Sequence, residues 1–229
     1  MACKCNDPNY DYWEDGDIRQ HLTCFPCKWN WYKVTEESDE PLFGFELEVI
    51  NNGNINPALM VRLVEQNDEM LCTSDSSLPD NAMEIISKPA TIDYYRYIFD
   101  WTPMRLLANN GWETTFLGEG ALHIHVSRSA FINDEHVDRF ADSVESLYHT
   151  IGTAGGMFAP KKSYFGFDLG VPMNKRNGSY LPQGKYSIVN KMNRSTVEVR
   201  AFAPSFSGMF IWNLMEYMRR EIEETRSKS

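Results

Sequence analysis

Three short segments of this chain share one pattern, in which apolar residues alternate with ionisable ones. They read Phe45-Glu46-Leu47-Glu48-Val49, Leu122-His123-Ile124-His125-Val126 and Val197-Glu198-Val199-Arg200-Ala201. On a β-strand, residues two apart point to the same side of the sheet. Each segment therefore puts its apolar residues on one face and two ionisable side chains on the other. Glu84, in Met83-Glu84-Ile85-Ile86-Ser87, interrupts a further apolar run, which is costly unless the carboxylate is paired or ligates a cation. A solvated outer face gives the same pattern on any one strand. Here, however, the six positions hold only Glu, His and Arg, and two of the five histidines lie one residue apart. Such a face offers hard oxygen ligands for Mg²⁺, imidazoles, and a fork for an anionic group.

The other periodicities interleave helices with these strands. Asn56-Pro57 has the form of a helix start, with Asn as cap and Pro at the first position, and that helix should run to about Gln66. Residues 68–73 and 83–87 read as strands around a polar turn. Residues 91–100 read as a helix, and Thr102-Pro103 starts another that ends near Asn109-Asn110-Gly111. Residues 112–117 and 121–127 read as strands. Asn133 or Asp134 caps a helix whose apolar positions Val137, Phe140, Ala141, Val144, Leu147, Tyr148 and Ile151 follow the 3.6-residue period. Residues 153–183 are rich in Gly, Pro and Lys and read as a long loop. Residues 186–191 and 196–202 read as a hairpin around Asn193-Arg194, and residues 209–225 as a last amphipathic helix. The expected fold is α+β, with a mostly antiparallel sheet and helices on one face.

The 229 residues hold one sizeable core, and a formal net charge of −10 argues against non-specific nucleic-acid binding, which needs a basic footprint. No apolar run has the length of a membrane span, and the first residues lack the apolar core of a secretory signal, so the expectation is a cytoplasmic protein with no membrane association. In a reducing compartment, Cys3, Cys5, Cys24 and Cys27 read as the thiolates of a structural Zn²⁺, although oxidised or unligated cysteines are the alternative and His21 could replace one thiolate. Residues 1–35 are read as this Cys-rich module and residues 36–229 as the main domain, joined through the acidic run Glu36 to Pro41.

The main domain also resembles a known family. Phe43-Gly44-Phe45-Glu46-Leu47-Glu48, Glu84-Ile85-Ile86-Ser87-Lys88-Pro89, Ala121-Leu122-His123-Ile124-His125-Val126, Lys185-Tyr186-Ser187-Ile188-Val189-Asn190 and Thr196-Val197-Glu198-Val199-Arg200-Ala201-Phe202 follow in the order of the amidoligase motifs. Amidoligases are small, often phage or prophage-encoded members of the glutamine synthetase and glutamate–cysteine ligase-like (carboxylate–amine ligase) superfamily. The resemblance covers about residues 43–204 and departs from the family where Gly120-Ala121 stand for the usual Cys-Gly lead-in and Val199 for the usual Phe. It implies a glutamine synthetase-like catalytic domain that uses ATP and Mg²⁺ to join a carboxylate to an amine. It further implies that Glu46, Glu48, Glu84 and Glu198 hold Mg²⁺, that His123 or His125 adds a metal or phosphate contact, and that Arg200 stabilises the transferring phosphoryl group. Asn190 and Lys185 would contact the nucleotide.

Two other classes fit parts of the pattern. A zinc-dependent hydrolase would use His123, His125 and one carboxylate as ligands, but leaves Arg200 and the extra carboxylates without tasks. A non-catalytic phage-type protein would keep the fold and use its N-terminal module to bind a host protein. The cysteine spacing yields its own prediction: purified protein should carry one structural zinc, and chelation should loosen the first 35 residues while sparing the main core. Elemental analysis showing less than about half an equivalent of zinc, or disulfides in the intact mass, would remove it.

Overall fold

The computed structural model describes residues 40–52, 56–73, 78–114, 121–151, 173–176, 179–182 and 187–226. The cysteine module, its boundary with the main domain, and Lys185 lie outside them. The elements are β1 (Phe43–Asn51), α1 (Pro57–Glu65), β2 (Met70–Thr73), β3 (Ala82–Ser87), α2 (Ile92–Tyr97), α3 (Thr102–Asn109), β4 (Trp112–Glu113), β5 (Leu122–Ser127), a 3₁₀ turn (Arg128–Ala130), α4 (Asp134–Ile151), β6 (Met173–Arg176), β7 (Ser179–Pro182), β8 (Val189–Asn190), β9 (Thr196–Phe202) and α5 (Gly208–Arg226). This is an α+β fold whose main sheet runs β2-β3-β1-β5-β9-β8, with β4 pairing the far end of β1. Every strand pair among the described residues is antiparallel.

One face of the sheet carries the core. Phe43, Phe45, Leu47 and Val49 of β1 join Leu122, Ile124 and Val126 of β5, Val197 and Val199 of β9, and buried residues of each helix among the described residues, in one continuous cluster. The helices therefore cover the apolar face, as the alternation predicts. Beneath β1, Phe45 stacks on Trp101 with ring centroids 5.7 Å apart, and Phe99 fits against Trp101 at 4.5 Å. This cluster shortens the helix expected over 91–100. Thr91 caps α2 through its hydroxyl, but the helix stops at Tyr97 because Phe99 and Trp101 turn inward. The Asp100 N–H then donates to Glu69 (3.0 Å), and its carboxylate accepts from the Thr102 N–H (2.9 Å) at the entry to α3. Trp101 also dictates Gly208 at the start of α5, since a Cβ there would lie 2.2 Å from its indole.

The cap at Asn56 forms as expected, with its side chain accepting from the Ala58 N–H (2.9 Å). Asn133, rather than Asp134, caps α4 by accepting from the His136 N–H (2.9 Å). The expected loop over 153–183 contains a two-stranded hairpin, with Met173 opposite Pro182 and Arg176 opposite Ser179. The sequence signal for it is the Asn177-Gly178 dipeptide between the strands, a pair favoured in two-residue hairpin connections.

Helices α4 and α5 are joined by polar contacts at a buried edge. His136, a residue whose sequence context reads as an ordinary helix position, is 0% exposed. Its Nδ1 accepts from the Ile132 N–H (3.3 Å), so Nε2 carries the proton toward the Ile222 carbonyl (2.9 Å) and the Thr225 hydroxyl (3.2 Å). Burial holds the imidazole below its ordinary pKa, and the Arg139 and Arg226 cations add to that effect against the hydrogen bond to Ile222. The folded protein thus resists a proton that the unfolded chain accepts. Stability from this site is fully present above about pH 6.5 and is lost as pH falls below it. Urea unfolding across that range should show His136→Gln with a shallower pH slope than the wild type, by up to about 1.4 kcal/mol per pH unit. Identical slopes would contradict this account.

Candidate metal centre

The face opposite the helices gathers the ionisable residues, and strand register decides which of them meet. On β1, Glu46 lies directly opposite His123 of β5, and Glu48 lies opposite Glu84 of β3. On β9, Glu198 lies opposite His125 of β5 on one side and Asn190 of β8 on the other. Neighbouring strands are about 4.8 Å apart, so His123 can reach carboxylates on both flanking strands.

It does so. Nδ1 of His123 lies 3.3 Å from Glu46 Oε2 and 3.3 Å from Glu198 Oε1. One ligand atom from each of Glu46, His123 and Glu198 falls within 4.8 Å of the others, a grouping able to hold a metal ion. His125 Nε2 stands 3.4 Å from the second oxygen of Glu46, and His125 Nδ1 stands 3.3 Å from the Thr196 hydroxyl. Arg200 Nη1 lies 3.3 Å from Glu198 Oε1. The other oxygen of Glu198 accepts from the side-chain amides of Asn190 (2.8 Å) and Asn193 (3.4 Å). Glu48 Oε2 accepts from the Ala121 N–H (3.0 Å).

These groups are shielded from water: Glu48 and Glu198 are each 4% exposed, Glu84 2% and His123 3%. The face is not the solvated surface that an isolated amphipathic strand would have. Among the described residues, four carboxylates share it with one guanidinium and two imidazoles, and removing carboxylates from water is expensive without compensating positive charge. A divalent cation would supply that charge.

The structure thus brings together Glu46, His123, His125, Asn190, Glu198 and Arg200. Glu48 and Glu84 share the same face one side-chain repeat along, as a facing pair. The closest grouping among the described residues takes two of the four carboxylates that the family resemblance implies, Glu46 and Glu198, together with His123, one of the two histidines it offers as a metal or phosphate contact. Asn193 and Thr196 were not anticipated. Thr196 lies two residues before Glu198 and could have been found by the same alternation. Asn193 reads in sequence only as a turn residue, since its reach to Glu198 depends on the path of the loop.

A β-bulge shapes the last strand. Between Leu122 and Ile124 of β5, the register on β9 passes from Phe202 to Val199, which inserts one extra residue opposite His123. The bulge lets Ala201 and Phe202 both enter the core while Arg200 stays beside Glu198.

Searches against protein-family models, curated proteins and solved structures find no match to this chain.

The facing pair Glu48 and Glu84 yields a prediction. Glu84→Gln should weaken the stabilisation of the protein by divalent cations, because it removes one charged oxygen donor from the face. Thermal unfolding with chelator and with Mg²⁺ measures this; an unchanged Mg²⁺-dependent shift would contradict it.

Proposed function

We propose that the chain is an ATP-dependent carboxylate–amine ligase that forms an amide bond through an acyl phosphate. The observation that carries this reading is the convergence of Glu46, His123 and Glu198, with Glu48 and Glu84 beside them and Arg200 at the same edge. Phosphoryl transfer asks mainly for metals and cations placed around phosphate oxygens, and this face is built of residues suited to that task. The ordered motif resemblance supports the same reading.

Two carboxylates and one imidazole offer a donor set that a cation of the Mg²⁺ or Mn²⁺ type could use, and such an ion would neutralise charge on phosphate oxygens. Glu46, His123 and Glu198 would hold it, with Glu48 and Glu84 as further oxygen ligands. Bound Mg²⁺ and ATP supply the activation: a substrate carboxylate oxygen takes the γ-phosphoryl group as ADP leaves, and an amine then displaces phosphate with loss of a proton. Asn190 and Asn193 orient Glu198 by occupying one of its oxygens. Thr196 holds the ring of His125 through Nδ1, with Nε2 near Glu46. Arg200 presents a planar fork that complements charge on a phosphoryl group, while Glu198 restrains it. The substrates are a carboxylate and an amine.

The imidazole within the metal grouping favours one second reading, a zinc-dependent hydrolase, because imidazole is a preferred zinc ligand. Thermal unfolding separates the two. A Mg²⁺-dependent rise with a non-hydrolysable ATP analogue should reach about 2.7 kcal/mol at a hundredfold excess over the dissociation constant. Stabilisation by Zn²⁺ alone, with no nucleotide effect, would favour the hydrolase; no response to any of these ligands would favour a fold retained for protein binding. Arg200→Lys should lower turnover by about two orders of magnitude despite the conserved charge, since a point-like ammonium cannot make a bidentate phosphate contact. Full activity in that variant would remove Arg200 from the chemistry.

A further inference from the structure

Arg128 lies in the 3₁₀ turn directly after β5, and three of its donors converge on one loop. Its backbone N–H donates to the Ser195 carbonyl (2.9 Å), its Nε to the Asn193 carbonyl (2.8 Å), and its Nη2 to the Lys191 carbonyl. Its remaining terminal nitrogen, Nη1, stands 3.3 Å from Asp134, an exposed side chain at the start of α4. A single residue thus ties three alternate carbonyls of the segment that joins β8 to β9. Met192, Arg194 and Ser195 of that segment are exposed, so burial does little to fix its path. An ion pair from Lys191 to Asp138 is a further tie to α4.

The clamped segment is also the one that orients Glu198. Asn190 enters it and Asn193 lies within it, and both side-chain amides donate to Glu198 Oε2 (2.8 and 3.4 Å). The Asn190 carbonyl oxygen on the side chain accepts from the Met192 N–H (3.0 Å), which fixes that amide's orientation. With Oε2 so engaged, Oε1 is the oxygen 3.3 Å from both His123 Nδ1 and Arg200 Nη1. Partners that orient a metal ligand in this way commonly change metal affinity when removed, although they never touch the ion.

We propose that Arg128 is a positioning residue for the metal centre: it clamps residues 191–195 so that Asn190 and Asn193 hold Glu198 with one oxygen turned to the Glu46–His123 side. The inference rests on the reading of Glu46, His123 and Glu198 as a divalent-cation site. It adds a residue from outside the ionisable face and a route by which that residue acts.

The test is Mn²⁺ binding to the full-length protein, followed by calorimetry and by the electron paramagnetic resonance of free Mn²⁺, with thermal unfolding measured alongside. Arg128→Ala should weaken Mn²⁺ binding by about tenfold or more. Arg128→Lys should not restore it, because one ammonium cannot replace two donors held in a rigid fork. Asn193→Ala should weaken binding in the same direction, and the double variant should lose less than the product of the two single losses, since both act through Glu198. Asp134→Ala should leave Mn²⁺ affinity unchanged. A merely structural Arg128 would lower the unfolding temperature and leave Mn²⁺ affinity alone, which overturns the proposal while the metal centre stands. If Arg128→Ala does not fold, wild-type affinity in both Arg128→Lys and Asn193→Ala overturns it equally. Absence of Mn²⁺ binding in the wild type would bring down the metal reading, and the proposal with it.

Discussion

The antiparallel register of β1 against β5 is the constraint on which the ionisable face depends. It sets Phe45 against Ile124 and Leu47 against Leu122 on the helix-covered side, and by the same act sets Glu46 against His123 on the other. A slip of one residue would turn Glu46 and Glu48 into the core and expel Phe45 and Leu47. Each buried apolar side chain contributes roughly 1.5–3 kcal/mol, so the core opposes that slip with far more free energy than any contact on the polar side. The weak geometry of the site is therefore enforced by the strong geometry of the core beneath it.

That enforcement lets the protein keep an arrangement of charges that would not persist alone. Buried carboxylates cost several kcal/mol each when uncompensated, and the structure answers with the Ala121 N–H, two asparagine amides, two imidazoles and Arg200. Glu198 has four of these partners, and Glu48 and Glu84 face one another across a strand pair. A carboxylate-rich face of this kind suits cation binding, and stability given up at such a site is a common accompaniment of function. The β9 bulge belongs to the same logic: one extra residue reconciles the position of Arg200 with two consecutive core residues behind it.

Control of the centre extends beyond the face itself. Arg128 belongs to the turn after β5, yet its hydrogen bonds end on the loop that carries Asn193 toward Glu198. The strand bearing the two histidines and the strand bearing Glu198 are thus coupled twice, through their ladder and through this turn. A strand pair with two independent ties suits a site in which one oxygen must be held in a fixed direction.

Much of this was legible in local sequence. The two-residue period placed Glu46 with Glu48, His123 with His125, and Glu198 with Arg200 on shared faces. The residues Asn56, Thr91 and Asn133 marked helix starts, because a side-chain oxygen beside an open helix end acts over only a few residues. Local rules missed what distant packing imposed: the early end of α2, where Phe99 and Trp101 turn under β1, and the burial of His136 between α4 and α5. By itself, then, the sequence determined which residues share a strand face and where the helices begin, since those depend on backbone period and neighbouring side chains. Only the tertiary structure decided that β5 lies between β1 and β9, that His123 rather than Glu48 or Glu84 completes the closest ligand group, and that Arg128 reaches the loop behind Glu198. Strand order and loop path join residues far apart in the chain, and no local periodicity encodes them.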